Sequence, residues 1–277
     1  MSQKWLFDRP WTKDFTEVRK RFLTEFLDSI GRDVKLTSAL DVGSALGDFS
    51  EFLHGRGLRV VGVDGRAENS AEARRRYPDI TFMTADAEEL PVAELGKFDL
   101  VLCFGLLYHL ENPFRTIRQL HSLTNSALII EAMCLPGSIP LMGLFDESDN
   151  HDQSLRGVAF YPSEGCLLKM LHRSGFPHVY RLKQPLPYIL YTGNKWRKPT
   201  RTILVASNIA ISDGSLASEK EKTLIPPDTS NTWSQAEWNP WSTSLSGIGR
   251  FSVGMLNSAR NFCSRILRPF RRSHDSV

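Results

Sequence analysis

The most chemically suggestive stretch of this chain is a glycine-containing turn, DVGSALG, at residues 41–47. Gly43 and Gly47 are four residues apart, and glycines in such a turn let the backbone approach a ligand closely. A phosphate-binding P-loop needs Lys and then Ser or Thr after its last glycine, whereas Asp48 and Phe49 follow here. A dinucleotide fingerprint needs further glycines, and an acid at the start of the next helix would repel a pyrophosphate. The turn therefore favours a ligand with a cationic centre and no phosphate.

Residues that could complete such a site follow three later apolar runs. Asp64 ends VVGVD, twenty-one residues after Gly43, where a carboxylate can accept two hydrogen bonds from a ribose diol. The segment TADAEELP places Asp86 and Ala87 after the next run, and FDLVLCFG ends near Phe104. If these runs are parallel strands, their carboxyl ends meet at one edge of a sheet, where open α/β folds bind ligands. The sequence therefore predicts a single binding edge that carries all of these residues.

The segment GLLYHLENP, directly after the FDLVLCFG run, holds the candidate catalytic residues. His109 could take a proton, because histidine titrates near neutral pH, or it could simply cap the helix that begins near Asn112. Tyr108 could contact an acceptor molecule or pack as a wall of the pocket. Glu131, near the end of a later apolar run, could face the same cavity or pair with a loop amide.

The elements that must position these residues alternate between apolar runs and segments with helical spacing. Apolar runs without strict alternation, separated by helices, indicate a parallel sheet covered on both faces. We therefore predict an α/β, doubly wound, mostly parallel sheet of seven strands with a last antiparallel strand. The predicted strands are 38–43, 58–64, 80–86, 98–105, 127–133, 178–183 and 200–207. The predicted helices are 13–31, 48–57, 68–78, 113–123 and 163–174, the last with Ser163 as N-cap and Gly175 as its stop.

In this order and at these strand ends, the residues resemble those of class I S-adenosylmethionine-dependent methyltransferases. Over roughly residues 35–207, Asp41, Gly43 and Gly47 resemble the first motif of that family, and Ala45 stands where its middle glycine usually lies. The resemblance implies that Asp64 binds the ribose and that the Asp86–Ala87 pair contacts the adenine. The cofactor-binding residues implied by the resemblance are Asp41, Gly43, Ser44, Gly47, Asp64, Asp86, Ala87 and Phe104.

A finer resemblance joins the Tyr108–His109 pair to the later sequence YPS at 161–163. The same pattern is similar to that of bacterial tRNA wobble-uridine carboxymethyltransferases and related small-molecule methyltransferases. In that comparison Tyr161 would be an acceptor-site residue, although it could instead pack against the following helix. Enzymes of the carboxymethyl type carry a basic residue shortly after the Tyr-His pair, whereas Leu110 and Glu111 follow here. We therefore expect transfer of a plain methyl group.

Residues 134–160 are expected to form a loop-rich insertion that could act as a lid over the acceptor. Its polar residues are Asp146, Glu147, Asp149, His151 and Asp152. Their spacing fits no EF-hand loop, so we expect a solvated loop and no metal site.

The bulk composition limits the class of protein and its compartment. The 277 residues carry a formal charge of +3, which is too small to indicate nucleic-acid binding by the whole chain. The four cysteines show no CxxC spacing, and the sequence has no apolar run of membrane-spanning length and no signal-type N-terminus. We therefore expect a cytoplasmic protein with reduced thiols. The predicted regions are an N-terminal helical segment (1–34), the methyltransferase domain (35–210), and a Ser/Pro/Trp-rich linker with a basic tail (211–277).

The basic tail could bring the protein to a surface. Residues 245–272 combine an apolar stripe with six arginines and no acid, the pattern of a basic amphipathic helix. Such a segment could lie on the inner membrane surface, dock on the protein itself or on a second copy, or, less favoured, bind RNA.

Together these observations predict methyl transfer from S-adenosylmethionine to a small-molecule, sugar-linked or lipid-linked acceptor, with His109 and Tyr108 as catalytic residues. The alternatives are an RNA (tRNA) methyltransferase and a catalytically silent methyltransferase-like binding protein.

Overall fold

The structure is a computed structural model, which describes residues 5–32, 34–148, 150, 152–193 and 200–221. The chain divides into two units, residues 1–223 and 224–277, and the second unit lies outside the described residues. The predicted tail at 245–272 therefore also lies outside them. Within the described residues, no helix is both long enough and apolar enough to cross a membrane.

The centre of the described region is an eight-stranded sheet with the order β10-β8-β9-β5-β4-β1-β2-β3. Strands β1 to β5 are mutually parallel, while β9 pairs antiparallel with both β5 and β8, and β10 pairs antiparallel with β8. The strands are β1 (Ser38–Val42), β2 (Arg59–Asp64), β3 (Thr81–Thr84), β4 (Phe98–Phe104), β5 (Thr124–Met133), β6 (Met142–Asp146), β7 (Val158–Pro162), β8 (His178–Leu182), β9 (Arg201–Ser207) and β10 (Leu216–Glu219).

Helices cover both faces of this sheet, as the sequence predicts for a doubly wound fold. Along β4, Leu100 and Leu102 pack on the face that α1 covers, and Val101 and Cys103 pack on the face that α5 and α6 cover. This alternation follows from the two-residue period of a strand. The helices are α1 (Pro10–Ile30), α2 (Asp48–Gly55), α3 (Ala67–Arg76), α4 (Val92–Leu95), α5 (Pro113–Leu123), α6 (Glu164–Arg173) and α7 (Ile189–Thr192).

The fold class predicted from the sequence is confirmed, with two differences in detail. The central sheet has eight strands instead of seven, because β10 adds to its edge beyond residue 210, inside the segment predicted to be a linker. Its four residues, LASE, are too short and too polar to indicate a strand by periodicity. The insertion at 134–160 is also more ordered than a loop, because β6 pairs antiparallel with β7 to form a hairpin.

Candidate active site at the carboxyl edge of the sheet

The glycine turn connects the carboxyl end of β1 to the start of α2, as the sequence predicts. Gly43 and Gly47 have positive φ angles of 82° and 91°, which glycine adopts without a steric penalty. A Cβ atom at Gly47 would lie 2.7 Å from Cζ of Phe82, and one at Gly43 would lie 3.0 Å from Cβ of Leu106. Both glycines are therefore required by conformation and by close packing. Ala45 also has a positive φ, of 47°, which is unfavourable for a residue with a Cβ.

A buried hydroxyl in this turn is left without a partner. Ser44 is 5% exposed, and none of the described residues forms a hydrogen bond with its Oγ. A buried polar atom without a partner costs free energy unless a ligand or water satisfies it. A turn with close backbone packing and an unpaired hydroxyl fits a ligand that carries polar groups, so these residues are compatible with the predicted cofactor.

Asp64 ends β2 beside this turn. Its Oδ2 accepts a hydrogen bond from Ala45 N at 2.9 Å, and its Oδ1 accepts from Arg66 N at 2.9 Å and from Asn69 Nδ2 at 3.1 Å. Burial raises the pKa of the Asp64 carboxyl, although these hydrogen bonds oppose the shift. The carboxylate is thus held in a fixed orientation next to the turn, and one lone-pair site, on Oδ2, is left to offer a ribose hydroxyl.

Asp41 lies deeper than Asp64. It is 1% exposed, and its Oδ2 accepts a hydrogen bond from Ser50 Oγ at 2.7 Å. Burial is the main reason that the pKa of Asp41 rises to about 6, and the nearby negative charge of Asp64 adds to the effect. Two acids with raised pKa values beside one turn form a site that favours a cationic ligand.

Asp86 and Ala87 follow β3 at the same edge. The Asp86 side chain begins a short 3-10 turn, because its Oδ1 accepts a hydrogen bond from Glu88 N at 2.9 Å. Its Oδ2 lies 2.6 Å from Nη2 of Arg156, which belongs to the insertion. Ala87 is buried. The predicted adenine-contacting acid is therefore ion-paired with the insertion, a partner that the sequence did not predict.

Phe104 lies at the carboxyl end of β4, on the other side of β1. It is 6% exposed, and its ring meets that of Phe49 edge-on, with the ring centroids 5.1 Å apart. The residue is in register with Glu131 of β5. The structure thus brings all of the predicted cofactor-binding residues to the carboxyl ends of four neighbouring strands, β3, β2, β1 and β4. Their individual roles in binding stay predictions.

His109 lies in a short 3-10 turn after β4 and contacts the insertion. Its Nδ1 is 2.6 Å from Oε2 of Glu147, and both side chains are largely buried. The residue before α5, Asn112, donates its N–H to the Glu88 carboxylate. The capping interpretation of His109 therefore finds no support in these contacts.

Glu147 also corrects an expectation about the insertion. The sequence predicted a solvated acidic loop, but the Glu147 side chain is only 5% exposed, because His109 and Ser154 N both bind its carboxylate. Asp149 and His151 lie outside the described residues. Within the described part of the chain, no group of three or more His, Cys, Asp or Glu residues could hold a metal ion.

Tyr108 belongs to a buried charged cluster that the sequence did not reveal. Arg201 of β9 donates from Nη2 to Tyr108 Oη at 2.7 Å and from Nη1 to both carboxylate oxygens of Glu131 at 2.9 and 3.0 Å. Arg19 of α1 lies 3.5 Å from the same carboxylate, and Tyr191 donates to it at 3.2 Å. The sequence signal that could have revealed this cluster is Glu131, a lone acid in the apolar strand β5, because a buried charge requires a partner of opposite charge.

The charged groups of this cluster are two guanidinium groups and the Glu131 carboxylate, and the Glu147 carboxylate also acts on Tyr108. Burial opposes the charge on Arg201, but attraction to Glu131 holds the pKa of Arg201 above its usual value. Burial lowers the pKa of Arg19, again against the attraction of Glu131. Two guanidinium groups thus share one carboxylate.

Tyr161 and Ser163 lie where the insertion leads into α6. The ring of Tyr161 meets the Tyr108 ring edge-on, with their centroids 5.6 Å apart, so Tyr161 is beside the Tyr108–His109 pair. Ser163 caps α6 as predicted, since its Oγ accepts a hydrogen bond from Cys166 N at 3.1 Å. Gly175 follows the end of this helix with a φ of 108°.

Part of this chain matches a known family model, and its fold is similar to that of solved structures. Residues 40–127 match the family model described as "Methyltransferase domain". The fold is similar to that of the N-terminal domain of EvdMO1, crystallised with SAH bound, with a TM-score of 0.56 and 20% identity over 68% of this chain and 79% of that one. Residues 40–127 therefore match a methyltransferase domain in sequence, and the fold is similar to that of a protein crystallised with SAH bound.

Curated relatives include proteins of two names. The chain is 32% identical to the tRNA U34 carboxymethyltransferase of Pseudomonas syringae pv. tomato over 180 residues, which are 62% of this chain and 53% of that protein. The corresponding protein of Alcanivorax borkumensis is 32% identical over 50% of this chain and 45% of its own length. Nodulation protein S of Bradyrhizobium diazoefficiens is 26% identical over 61% of this chain and 88% of its own length. The chain thus spans about half the length of these carboxymethyltransferases, and the predicted resemblance to them is confirmed.

Proposed function

We propose that this chain binds S-adenosylmethionine at the carboxyl edge of its sheet and transfers the methyl group to a small-molecule, sugar-linked or lipid-linked acceptor. The observation that carries the proposal is the meeting of two groups of residues at this edge. The glycine turn with Asp64 and Asp86 forms one group, and the Tyr108–His109 pair after β4 forms the other. A donor site and a proton-accepting site lie side by side in this arrangement.

The first group has the chemistry that this donor requires. Asp64 Oδ2 accepts a hydrogen bond from a ribose hydroxyl, Asp86 accepts from the adenine amino group, and Ser44 Oγ offers a buried hydroxyl to the polar end of the ligand. When bound, S-adenosylmethionine supplies an electrophilic methyl group on a positively charged sulfur. The acidic character of the site, set by Asp41 and Asp64, favours that charge.

The second group acts on the acceptor. His109 takes a proton from an acceptor that must lose one to become a nucleophile. Tyr108, held at its Oη by Arg201, and Tyr161 form an aromatic wall beside it. Alignment of the nucleophile with the methyl carbon, together with exclusion of water, supplies most of the rate acceleration in such a transfer.

Calorimetric titration of the purified chain with S-adenosylmethionine and, separately, with NAD tests the donor site. We expect micromolar binding of the first and no binding of the second, because the turn lacks the dinucleotide fingerprint. Binding of NAD, or of neither compound, would contradict the proposal. Binding of S-adenosylmethionine without turnover on any acceptor would instead favour a catalytically silent binding protein.

A second candidate function is carboxymethyl transfer to tRNA, as the names of the relatives suggest. Leu110 and Glu111 do not provide the basic residue expected after the Tyr-His pair. However, Arg201 reaches Tyr108 from β9, and Arg201 and Arg19 share the single carboxylate of Glu131. A buried guanidinium at this position could bind a carboxylate on the transferred group.

Competition between two donors distinguishes these functions. The first proposal expects S-adenosylmethionine to bind more tightly than an analogue whose transferred methyl group carries a carboxylate. Tighter binding of the carboxylated analogue, together with tRNA affinity that falls steeply with salt, would favour the second function.

The lipid-linked acceptor can be tested through the basic tail at 245–272. It predicts co-sedimentation with vesicles that contain anionic lipid, and it predicts that truncation after residue 223 abolishes this binding. Truncation there, and not at 210, retains β10 in the sheet. Sedimentation of the truncated chain would exclude the tail as the membrane contact.

A further inference from the structure

We propose that Glu147 is a positioning residue for His109, and that the insertion carries it to the site so that the base is oriented only when the insertion is in place. This inference rests on the proposed function, in which His109 takes a proton from the acceptor. It adds a residue that the sequence placed in a solvated loop.

The contact between the two side chains is short and largely shielded from water. Glu147 Oε2 lies 2.6 Å from His109 Nδ1, and the side chains are 5% and 11% exposed. The ring of Tyr108 lies against the imidazole, with the ring centroids 4.1 Å apart. A charged hydrogen bond in such surroundings is stronger than the same bond in water.

Residues of the insertion itself also hold the carboxylate of Glu147. Ser154 N donates to the same Oε2 at 2.8 Å, and Glu147 N donates to Gly157 O at 2.8 Å. These bonds close the loop around the carboxylate and fix its direction toward His109.

The arginines of this region are engaged elsewhere. Arg156 pairs with Asp86, Glu88 and Glu111, and Arg66 donates to the carbonyl oxygens of Gln153 and Ser154. Within the described part of the chain, His109 is the only basic side chain within ion-pair distance of Glu147. A buried carboxylate requires such a donor, so His109 and Glu147 stabilise one another.

The hydrogen bond selects the form of the imidazole. An ionised carboxylate can only accept, so the neutral ring must carry its proton on Nδ1 and leave a lone pair on Nε2. In the transfer, the acceptor atom forms its bond to the methyl carbon, and the carbon–sulfur bond breaks with its electron pair going to sulfur. The acceptor's proton goes to Nε2, and the Glu147 carboxylate stabilises the resulting imidazolium.

The insertion connects this pair to the donor side of the site. Arg156 binds Asp86, the predicted adenine contact, and Arg66 follows Asp64 in the sequence by two residues. The loop that carries Glu147 is therefore anchored to the strand ends that hold the predicted donor-binding acids. Displacement of the insertion would separate Glu147 from His109, and it would also weaken the contacts that Arg156 and Arg66 make between the insertion and the strand ends.

Nitrogen NMR of the His109 ring tests the proposal without any acceptor. A His109→Gln variant assigns the signals. In the wild-type chain we expect the neutral ring to carry its proton on Nδ1, and we expect Glu147→Gln to change the ratio of the two tautomers about tenfold or more. Asp146→Asn is the matched control, because it removes an exposed charge from the adjacent position and should leave the ratio unchanged.

A wild-type ring protonated on Nε2 would overturn the proposal, and this measurement does not depend on whether Glu147→Gln folds. An unchanged ratio in a folded Glu147→Gln chain would also overturn it, as would an equal change in Asp146→Asn. Failure of S-adenosylmethionine to bind in calorimetry would reject the proposed function but leave the tautomer result intact, so the two failures are distinguishable.

Discussion

At the scale of single residues, the site is a set of polar groups whose burial is costly in the absence of a ligand. Ser44 has a buried hydroxyl to which no described residue forms a hydrogen bond, and burial raises the pKa values of Asp41 and Asp64. Ala45 holds a left-handed conformation that disfavours a side chain. Such costs are common at binding sites, where a bound ligand forms the hydrogen bonds and charge contacts that the protein alone does not supply.

Replacement of Asp64 should weaken the binding of the donor. Asp64→Ala removes the proposed acceptor of a ribose hydrogen bond, and we expect the dissociation constant of S-adenosylmethionine to rise about tenfold or more in calorimetry. Asp64→Asn, which retains the shape of the side chain, should also raise this dissociation constant. Asp99→Ala is the control, because Asp99 binds Thr37 and Ser38 at the amino edge of the sheet. Unchanged affinity in the Asp64 variants would place the site elsewhere.

Asp41 should make the protein less stable as the pH rises from about 4 to 6. Its pKa is about 6 in the folded protein against 3.8 for the ordinary side chain. In this window the folded protein therefore retains a proton that the unfolded chain has released, and the free energy of unfolding falls as pH increases. The full cost above pH 6 is on the order of 3 kcal/mol.

Asp41→Asn removes this titration and keeps an oxygen that can accept from Ser50. We expect the variant to be more stable than wild type at pH 7 by about 1–3 kcal/mol, with the difference vanishing near pH 4. Urea unfolding at several pH values measures this. Asp79→Asn, at an exposed position, should leave the pH dependence as in the wild type. If the free energy of unfolding depended on pH in the same way in wild type and Asp41→Asn, the raised pKa of Asp41 would be contradicted.

At the scale of elements, the insertion joins the two halves of the site. Its hairpin leads from β5 to α6, and the segment between β6 and β7 contacts the ends of β2, β3 and β4. Arg156 provides the contact with the most partners, since its guanidinium lies within 4.0 Å of Asp86, Glu88 and Glu111.

Loss of Arg156 should loosen this segment. In Arg156→Ala we expect the amides of Glu147 and Ser154 to exchange with deuterium about three to ten times faster than in the wild type, because the anchoring ion pairs are lost. Hydrogen-exchange mass spectrometry measures the effect. Arg173→Ala is a matched control, since Arg173, at the end of α6, forms an ion pair with Glu221. Equal protection in Arg156→Ala and wild type would show that the hairpin alone holds the segment.

Across the whole described region, the buried acid Glu131 contacts parts of the chain that are distant in sequence. Glu131 of β5 binds Arg19 of α1, Arg201 of β9 and Tyr191 of α7. The N-terminal helix thus contributes to the surroundings of Tyr108 through this cluster. Buried ion pairs of this kind fix one arrangement of elements, because their separation leaves uncompensated charges.

Neutralisation of Glu131 should destabilise the fold. Glu131→Gln leaves two buried guanidinium groups without a counter-charge, and we expect the free energy of unfolding to fall by about 3–5 kcal/mol. Arg19→Met should cost less, because Arg201 still pairs with Glu131. Urea unfolding of both variants measures the difference. A loss below 1 kcal/mol in Glu131→Gln would show that the cluster is not essential to the packing of α1.

Local patterns were sufficient to predict β1 to β5, β8 and β9 with the main helices between them, and the edge on which the candidate site lies, but not β6, β7 or β10. The alternation of apolar runs with segments of helical spacing predicted a doubly wound sheet. The spacing of apolar residues within each segment is enough to distinguish a strand from a helix. The turn at Gly43 and the acids Asp64 and Asp86 were predicted from their positions after successive strands. The carboxyl ends of parallel strands meet by topology alone.

The sequence by itself thus determined the class of fold, the residues predicted to bind the donor that strand order brings to one edge, and the Tyr108–His109 pair beside them. Only the tertiary structure decided which side chains those residues bind. His109 meets Glu147 across 38 positions, Asp86 meets Arg156 across 70, and Tyr108 meets Arg201 across 93. No periodicity or local spacing encodes such pairs, because they depend on how the insertion, the N-terminal helix and the last strands pack on the sheet.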